Sequence, residues 1–201
     1  LAGKSCWVTG AGAGIGRALV RELNVEGATV VAIDRDEAAL ADLVKEGGLL
    51  GFKVRTWRAD VGSGDDYLKE LGAAAAVNGP PAVLVNCAGI ARLGGFKELG
   101  WKAFQETLPI NLNGTIMGSL FALALMERKG EGIIINIGSI AGLVPTGFMV
   151  SYSTSKYAVV GFTRALQAEL DMRHSPVRTL LVCPGFIDTR LMDQAGYKIP
   201  G

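Results

Sequence analysis

Short apolar runs alternate along the chain with amphipathic stretches, and the apolar runs are rich in β-branched residues. This pattern predicts buried strands that alternate with helices. We predict strands at residues 6–9, 29–33, 52–59, 82–85, 133–137 and 179–182, with helices at 17–26, 37–44, 65–77, 101–128 and 152–171. Repeated strand–helix units of this kind predict an α/β fold, a Rossmann-type doubly wound parallel sheet with helices on both faces.

The long helical stretch 101–128 contains three residues that are poor helix formers in mid-run, Pro109, Asn111 and Gly114. We therefore expect a break or kink near Asn111, because a sharp bend in a helix has a local cause.

Composition excludes several classes of protein. The chain has 201 residues, 49% of them hydrophobic, and a net charge of +1, which predicts one domain over 1–201 and no surface for nucleic acid. No apolar run reaches the roughly 18 residues that span a bilayer, so no membrane is expected. Cys6, Cys87, Cys183 and the single His174 are far apart. This spacing predicts no metal site. The cysteines are expected to be core thiols in a reducing, cytoplasmic location. The histidine is expected at the surface or as the cap of a helix end.

Candidate chemistry lies at Tyr152 and Lys156, which share one face of the predicted helix. A positive charge about 5 Å from a phenol would lower the pKa of the phenol by about 2.5, into the range of a general acid or base. Ser139 follows the apolar run of the fifth strand and offers a second hydroxyl near the phenol. A helix-surface pair with no function is the alternative for Tyr152 and Lys156 taken alone.

A glycine-rich turn links the first strand to the first helix, with Gly10, Gly14 and Gly16 preceded by Thr9. Strand, glycine-rich turn and helix form the arrangement that cradles a pyrophosphate. Asp34 ends the second strand, where a carboxylate accepts from both ribose hydroxyls and repels a 2′-phosphate. Asp34 is also a candidate N-cap for the next helix.

These segments resemble the motifs of the short-chain dehydrogenase/reductase family, in its compact single-domain branch, over essentially the whole length. The matching positions are Thr9 to Gly16, Asp60-Val61, Asn86-Cys87-Ala88-Gly89, Asn111 with Gly114, Ser139, Tyr152 with Lys156, and Pro184-Gly185 with Thr189. Cys87 departs from the family, which has a second asparagine there. The resemblance implies the strand order 3-2-1-4-5-6. The family continues past Thr189 into a lid, a further strand and a tail, so we expect residues, including a seventh strand, to be missing from the C-terminus.

The resemblance also implies the site residues and their roles. The catalytic residues would be Asn111, Ser139, Tyr152 and Lys156. Tyr152 would exchange a proton with a secondary alcohol or ketone, Ser139 would bind the substrate oxygen, Lys156 would lower the pKa of Tyr152 and hold the nicotinamide ribose, and Asn111 would hold a water. The cofactor-binding residues would be Gly10, Ala13, Gly14, Ile15, Gly16, Asp34, Arg35, Asp60, Val61, Asn86, Ala88, Gly89, Tyr152, Lys156, Pro184, Gly185, Ile187 and Thr189.

The sequence leaves alternatives open for the choice between NAD and NADP and for the function. Asp34 favours NAD, Arg35 beside it is able to bind the phosphate of NADP, and Ala13 adds no positive charge. Two other functions are open: an NADPH-dependent 3-oxoacyl-carrier-protein reductase, with cations at Arg128, Lys129 and Arg173 for an acidic carrier, and a non-catalytic cofactor-sensing protein. Simple helix-terminal cations are the alternative role for those three residues.

Partners are expected to be a small, apolar secondary alcohol or ketone and further copies of the chain. A homodimer or homotetramer would form through helices 101–128 and 152–171, with Phe121, Leu125, Phe162 and Leu166 in contact, unless these side chains face their own sheet. Residues 186–201 are expected to form a mobile lid, and Arg92 and Arg190 to be solvated loop cations. The apolar substrate wall is predicted from Leu143, Val144, Phe148, Met149, Phe186, Leu191 and Met192.

Overall fold

A single six-stranded parallel sheet forms the centre of the computed structural model, which describes residues 1–187. The strands are β1 Ser5–Thr9, β2 Thr29–Asp34, β3 Val54–Arg58, β4 Val83–Asn86, β5 Gly132–Ile137 and β6 Val177–Val182. Their order in the sheet is β3-β2-β1-β4-β5-β6 and every neighbouring pair is parallel, which confirms the predicted fold class. The carboxyl ends of the strands therefore meet at one edge, where doubly wound proteins bind ligands.

Helices cover both faces of the sheet, because successive side chains of a strand point to opposite sides. The helices are α1 Gly14–Val25, α2 Glu37–Leu50, α3 Asp65–Asn78, α4 Phe96–Leu108, α5 Gly114–Lys129 and α6 Val150–Met172. In β1, Trp7 packs into the cluster on the side of α3 and α5, whereas Cys6 and Val8 pack on the side of α1 and α2.

The predicted elements are all present, with changed bounds. Helix α2 runs to Leu50 instead of residue 44, α4 begins at Phe96, α6 begins at Val150, and β3 is shorter than the predicted 52–59. The expectation that Asp34 caps a helix is wrong. Asp36 is the N-cap of α2, and its carboxylate accepts from the backbone N–H of Ala39 at 3.1 Å.

The predicted break in the long helical stretch is confirmed. A π-helical turn, Pro109–Asn113, separates α4 from α5, and Gly100 inside α4 has φ 54°. By length and composition alone, the helical region Phe96–Lys129 could cross a membrane, which corrects the sequence-based statement that no stretch is long enough. In this fold its pieces pack against α3, β4, β5 and α6.

The side chains that were predicted to contact another subunit pack partly against their own chain. The ring of Phe121 stacks on Trp7, with centroids 6.4 Å apart, and packs against the core cluster. Leu125, Phe162 and Leu166 are half-buried. Leu120, with 61% of its surface exposed, is the apolar residue that α5 presents most openly to solvent.

The cations proposed for an acidic carrier lie at the C-terminal ends of α5 and α6. The guanidinium of Arg128 donates to the carbonyl of Ala124, and Arg173 pairs with Glu127 and Glu169. His174 is exposed at the end of α6 with φ 52°, so it lies where a surface residue near a helix end was predicted.

Candidate active site

A cavity of about 370 Å³ opens at the carboxyl ends of the strands. It brings together parts of the chain that are up to 177 residues apart in sequence, from Gly10 to Ile187. Seventeen of the predicted site residues line it: Gly10, Ala13, Gly14, Ile15, Gly16, Asp34, Arg35, Asp60, Val61, Ala88, Gly89, Ser139, Tyr152, Lys156, Pro184, Gly185 and Ile187. Asn86 and Asn111 do not line it, and Thr189 lies outside the described residues.

The glycine loop forms one wall, and its shape explains why glycine is needed. Gly10 has φ 68°, and a Cβ on it would lie 2.7 Å from the Cα of Ala88. A Cβ on Gly16 would lie 2.1 Å from the carbonyl oxygen of Gly10. Because α1 has no side-chain cap at Ala13, the first backbone N–H groups of the helix remain for a ligand. The loop is thus a close-packed cradle that fits a pyrophosphate.

Asp34 is fixed by the backbone on two sides. One carboxylate oxygen accepts from the N–H of Gly12 at 2.8 Å and the other from the N–H of Asp36 at 3.0 Å. Arg35 is 60% exposed, and its guanidinium lies 3.9 Å from the carboxylate of Asp60. The carboxylate therefore holds a set position in the cavity wall, while the arginine beside it is exposed and pairs with Asp60 only at this long distance.

The opposite wall is tied to the glycine loop by Thr9. Its hydroxyl accepts from the backbone N–H groups of Cys87 and Ala88, at 3.0 and 3.1 Å. Asp60 shapes the adjacent turn, where its carboxylate accepts from the N–H of Gly62 at 2.9 Å. Burial raises the pKa of the Cys87 thiol to about 11, so this residue lines the cavity as a neutral group.

Asn86 was predicted to bind the cofactor, but its side chain points away from the cavity. It is 3% exposed and donates to the carbonyl of Thr115 and to the side chains of Ser119 and Asn136. These bonds join β4 to α5 and β5, so Asn86 is a structural residue. The sequence-based assignment rested on the neighbouring residues that line the cavity, and a cofactor contact of Asn86 remains a prediction.

Ser139, Tyr152 and Lys156 meet in the cavity, as predicted. The ammonium of Lys156 lies 5.7 Å from the centre of the Tyr152 ring and donates to the carbonyl of Ile137 at 2.7 Å. Ser139 begins the short helical turn Ile140–Gly142, and its hydroxyl accepts from the N–H of Ala141 at 3.1 Å. The end of β5 and the first two turns of α6 thus place a hydroxyl, a phenol and an amine at one point. The carbonyl of Ile137 had no signal in the sequence.

The expected lowering of the Tyr152 pKa is wrong for the structure as it stands. Burial raises the pKa of Tyr152, and a hydrogen bond from Ser139 lowers it only in part. Burial also lowers the pKa of Lys156 to about 8. The sequence-based argument assumed a partly solvated pair, whereas both side chains are buried, and desolvation disfavours both charged forms.

Asn111 lies behind the cavity wall. Its carboxamide oxygen accepts from the N–H of Ile90 at 2.8 Å, and its amide nitrogen donates to the carbonyl of Ile90 at 2.9 Å and to the hydroxyl of Ser155 at 3.0 Å. Both N–H groups of the amide and one lone pair of its oxygen thus have protein partners. A catalytic role for Asn111 by direct contact is not what this arrangement indicates, and the predicted bound water remains a prediction.

The substrate side of the cavity differs in part from the prediction. Met149 and Phe186 line it, whereas Leu143, Val144 and Phe148 do not line it and are about half exposed. Leu191, Met192 and Arg190 lie outside the described residues, as does most of the predicted lid. Arg92 pairs with Glu106 at 2.6 Å. Residues that sequence reasoning missed in the lining include Asp36, Ile90, Ile110 and Thr146.

Comparison with known proteins gives a family match over most of the chain. Residues 4–199 match a family model described as short chain dehydrogenase. A crystal structure of a short chain dehydrogenase/reductase from Burkholderia phymatum in complex with NAD aligns with a TM-score of 0.91 and 32% identity. The alignment covers 96% of this chain and 69% of that one.

Similar curated proteins are oxidoreductases by name. Probable oxidoreductase EphD of Mycobacterium tuberculosis is 35% identical over 96% of this chain and 33% of its own length. The (3R)-3-hydroxyacyl-CoA dehydrogenase of Mus musculus is 37% identical over 96% of this chain and 77% of its own length. The chain thus spans a third of the EphD proteins that it matches.

Proposed function

The chain belongs to the short chain dehydrogenase family, and we propose that it is an oxidoreductase that uses NAD(H) to interconvert a secondary alcohol and a ketone. The observation that carries the proposal is the meeting of Ser139, Tyr152 and Lys156 in the same cavity as the glycine cradle. A pyrophosphate fits that cradle, because a Cβ at Gly10 or Gly16 would overlap backbone. When bound, the nicotinamide would supply the hydride chemistry.

The chain's own residues would handle the proton and the developing charge. Tyr152 would donate a proton to the carbonyl oxygen of a ketone, or accept one from an alcohol. Ser139 would donate a hydrogen bond to the same oxygen, which places stabilisation where negative charge develops. Lys156 would contribute an ammonium group that favours the phenolate, and a ligand that made hydrogen bonds to this ammonium would favour its charged form.

A panel of secondary alcohols tested with NAD, by absorbance of the reduced cofactor, is the direct experiment. Tyr152→Phe removes the proton donor and keeps the ring, so turnover should fall below detection while the affinity for NADH, measured by fluorescence, stays within about twofold. Tyr157→Phe is the matched control, since Tyr157 lies on the same helix and is 41% exposed. Retained turnover in Tyr152→Phe would refute the assigned mechanism.

Preference for NAD over NADP rests on Asp34. A fixed carboxylate in the cavity wall, held by the N–H groups of Gly12 and Asp36, repels a 2′-phosphate. Asp34→Ala should shift the ratio of the two dissociation constants toward NADP, and Arg35→Ala in that background should reverse part of the shift. The preference is refuted if the unmutated protein binds NADP as tightly as NAD.

An apolar substrate agrees with Met149 and Phe186 in the lining. Turnover confined to polyols or anionic substrates would contradict it. The acyl-carrier reductase gains no support from its proposed cations, because Arg128 and Lys129 lie in the last turn of α5. That turn leads into the first residue of β5, at the sheet edge opposite the cavity. A cofactor sensor would not need Ser139, Tyr152 and Lys156 together.

Assembly and location remain proposals. Exposed apolar side chains on α4, α5 and α6, among them Trp101, Leu120 and Tyr157, support a homo-oligomer through these helices. A monomer at micromolar concentration in sedimentation would exclude it. The free thiols of Cys6, Cys87 and Cys183 support a cytoplasmic location, which cell fractionation would test.

A further inference from the structure

Ser155 lies between the two residues that carry the proposed chemistry, yet it faces away from the cavity. It is 0% exposed. Its hydroxyl donates to the carbonyl of Tyr152 at 2.6 Å and accepts from the amide nitrogen of Asn111 at 3.0 Å. One side chain thus joins the first turns of α6 to the π-helical turn that contains Asn111.

Asn111 continues the connection to the loop after β4. Both hydrogen-bonding groups of its amide engage the backbone of Ile90, at 2.8 and 2.9 Å. Gly89, the residue before Ile90, lies in the cavity wall. A Cβ on Gly89 would lie 3.4 Å from the carboxamide oxygen of Asn111 and 3.7 Å from the ammonium nitrogen of Lys156. The loop, the π-helical turn and α6 therefore meet at this point.

We propose that Ser155 is a positioning residue that acts through Asn111 to hold the loop at Gly89 and Ile90 against the turn of α6 carrying Tyr152 and Lys156. Without the Ser155 hydroxyl, the amide of Asn111 keeps one acceptor, the carbonyl of Ile90, and loses the partner that fixes it relative to α6. The loop and α6 then move independently. The catalytic consequence rests on the proposed function, and the structural consequence does not.

The first experiment measures the loop directly. Hydrogen exchange of the Ile90 amide, which donates to Asn111, should become at least about tenfold faster in Ser155→Ala. The Ala88 amide is an internal control in the same loop, because it donates to Thr9 instead, and its exchange should change less than about twofold. Equal acceleration of both amides would mean general destabilisation and would overturn the proposal.

The second experiment uses turnover and a matched control. Misplacement of reacting groups by an ångström costs about a hundredfold in rate, so Ser155→Ala should lower kcat by about ten- to a hundredfold. Ser153→Ala removes another buried hydroxyl of the same helix, one without a hydrogen-bond partner among the described residues, and should change kcat less than about threefold. Ser155→Thr, which retains the hydroxyl, should recover most of the rate. Equal losses in the two alanine variants would overturn the proposal.

A double-mutant cycle tests whether Ser155 acts through Asn111. In an Asn111→Ala background, the further change Ser155→Ala should alter kcat and the exchange rate of the Ile90 amide by less than about twofold. If the two residues act independently, the losses will add in full, and that result would refute the connection. If Ser155→Ala does not fold, Ser155→Cys, which keeps the volume and weakens the hydrogen bond, takes its place with the same expectations. If the unmutated protein turns over no secondary alcohol, the proposed function fails, and the exchange experiment still decides the role of Ser155.

Discussion

Replacing Lys156 by methionine should make the protein more stable at pH 7 when no cofactor is bound. The side chain is 4% exposed, and burial lowers the pKa of its ammonium group from 10.5 to about 8. Methionine fills a similar volume without a charge. The substitution thus removes a buried charge that folding must desolvate.

The size of the effect follows from the two pKa values. A fall from 10.5 to about 8 corresponds to about 3 kcal/mol of lost stability at pH 7, at about 1.4 kcal/mol per pH unit. Between these pKa values the unfolded chain binds more protons than the folded one, so the free energy of unfolding rises with pH. At pH 9.5 the remaining cost is about 1.5 kcal/mol. At pH 7 the ammonium group is charged, so loss of its hydrogen bond to the carbonyl of Ile137 offsets about 1.5 kcal/mol. At pH 9.5 the amine is neutral in the folded protein, and the same loss offsets about 1 kcal/mol. The net gain of Lys156→Met is thus about 1.5 kcal/mol at pH 7 and about 0.5 kcal/mol at pH 9.5.

Urea unfolding of both proteins at pH 7 and pH 9.5 measures this difference, and groups common to the two proteins cancel. Lys45→Met is the control, because the side chain of Lys45 is 76% exposed, and its stability relative to the unmutated protein should be the same at both pH values. A Lys156→Met variant that unfolds at lower urea than the unmutated protein at pH 7, or a gain that does not depend on pH, would refute the reasoning.

Three further substitutions test the packing that builds the site, each by urea unfolding. Gly16→Ala should destabilise the protein by about 2 kcal/mol, because its Cβ would lie 2.1 Å from the carbonyl oxygen of Gly10; unchanged stability would mean that the cradle is loosely packed. Gly72→Ala in α3 should instead add about 0.5 to 1 kcal/mol, since the added Cβ would meet no described atom within 4 Å beyond its chain neighbours and the nearby backbone of its own helix; a loss there would contradict the described helix. Asn86→Ala should lower the free energy of unfolding by about 2 to 3 kcal/mol, because it leaves buried partners unpaired. Asn78→Ala loses a single bond to the carbonyl of Ala74 and should cost less than about 1 kcal/mol. Equal costs would refute the structural role of Asn86.

Local sequence determined the elements and the residue types that carry the chemistry. Apolar runs and glycine-rich turns encode strands and helix starts over a few residues, so the succession of strands and helices along the chain, the break near Asn111 and the pairing of Tyr152 with Lys156 on α6 were all predictable. The order of the strands within the sheet came from the resemblance to the family. Much of the cavity lining followed as well, because polar and glycine residues after parallel strands gather at one sheet edge, although Asp36, Ile90, Ile110 and Thr146 were missed.

Only the tertiary structure decided where side chains point and how far they are buried. The sequence placed Asn86 among cofactor-binding residues, but packing turns it toward α5 and β5, and Asn111 is likewise occupied by Ile90 and Ser155. The same holds for charge: helical spacing puts Lys156 near Tyr152, but burial sets the pKa of both groups, because the desolvation of a charge depends on every atom packed around it. Spacing along the chain fixes which residues can meet, and the surrounding packed atoms fix what those residues do.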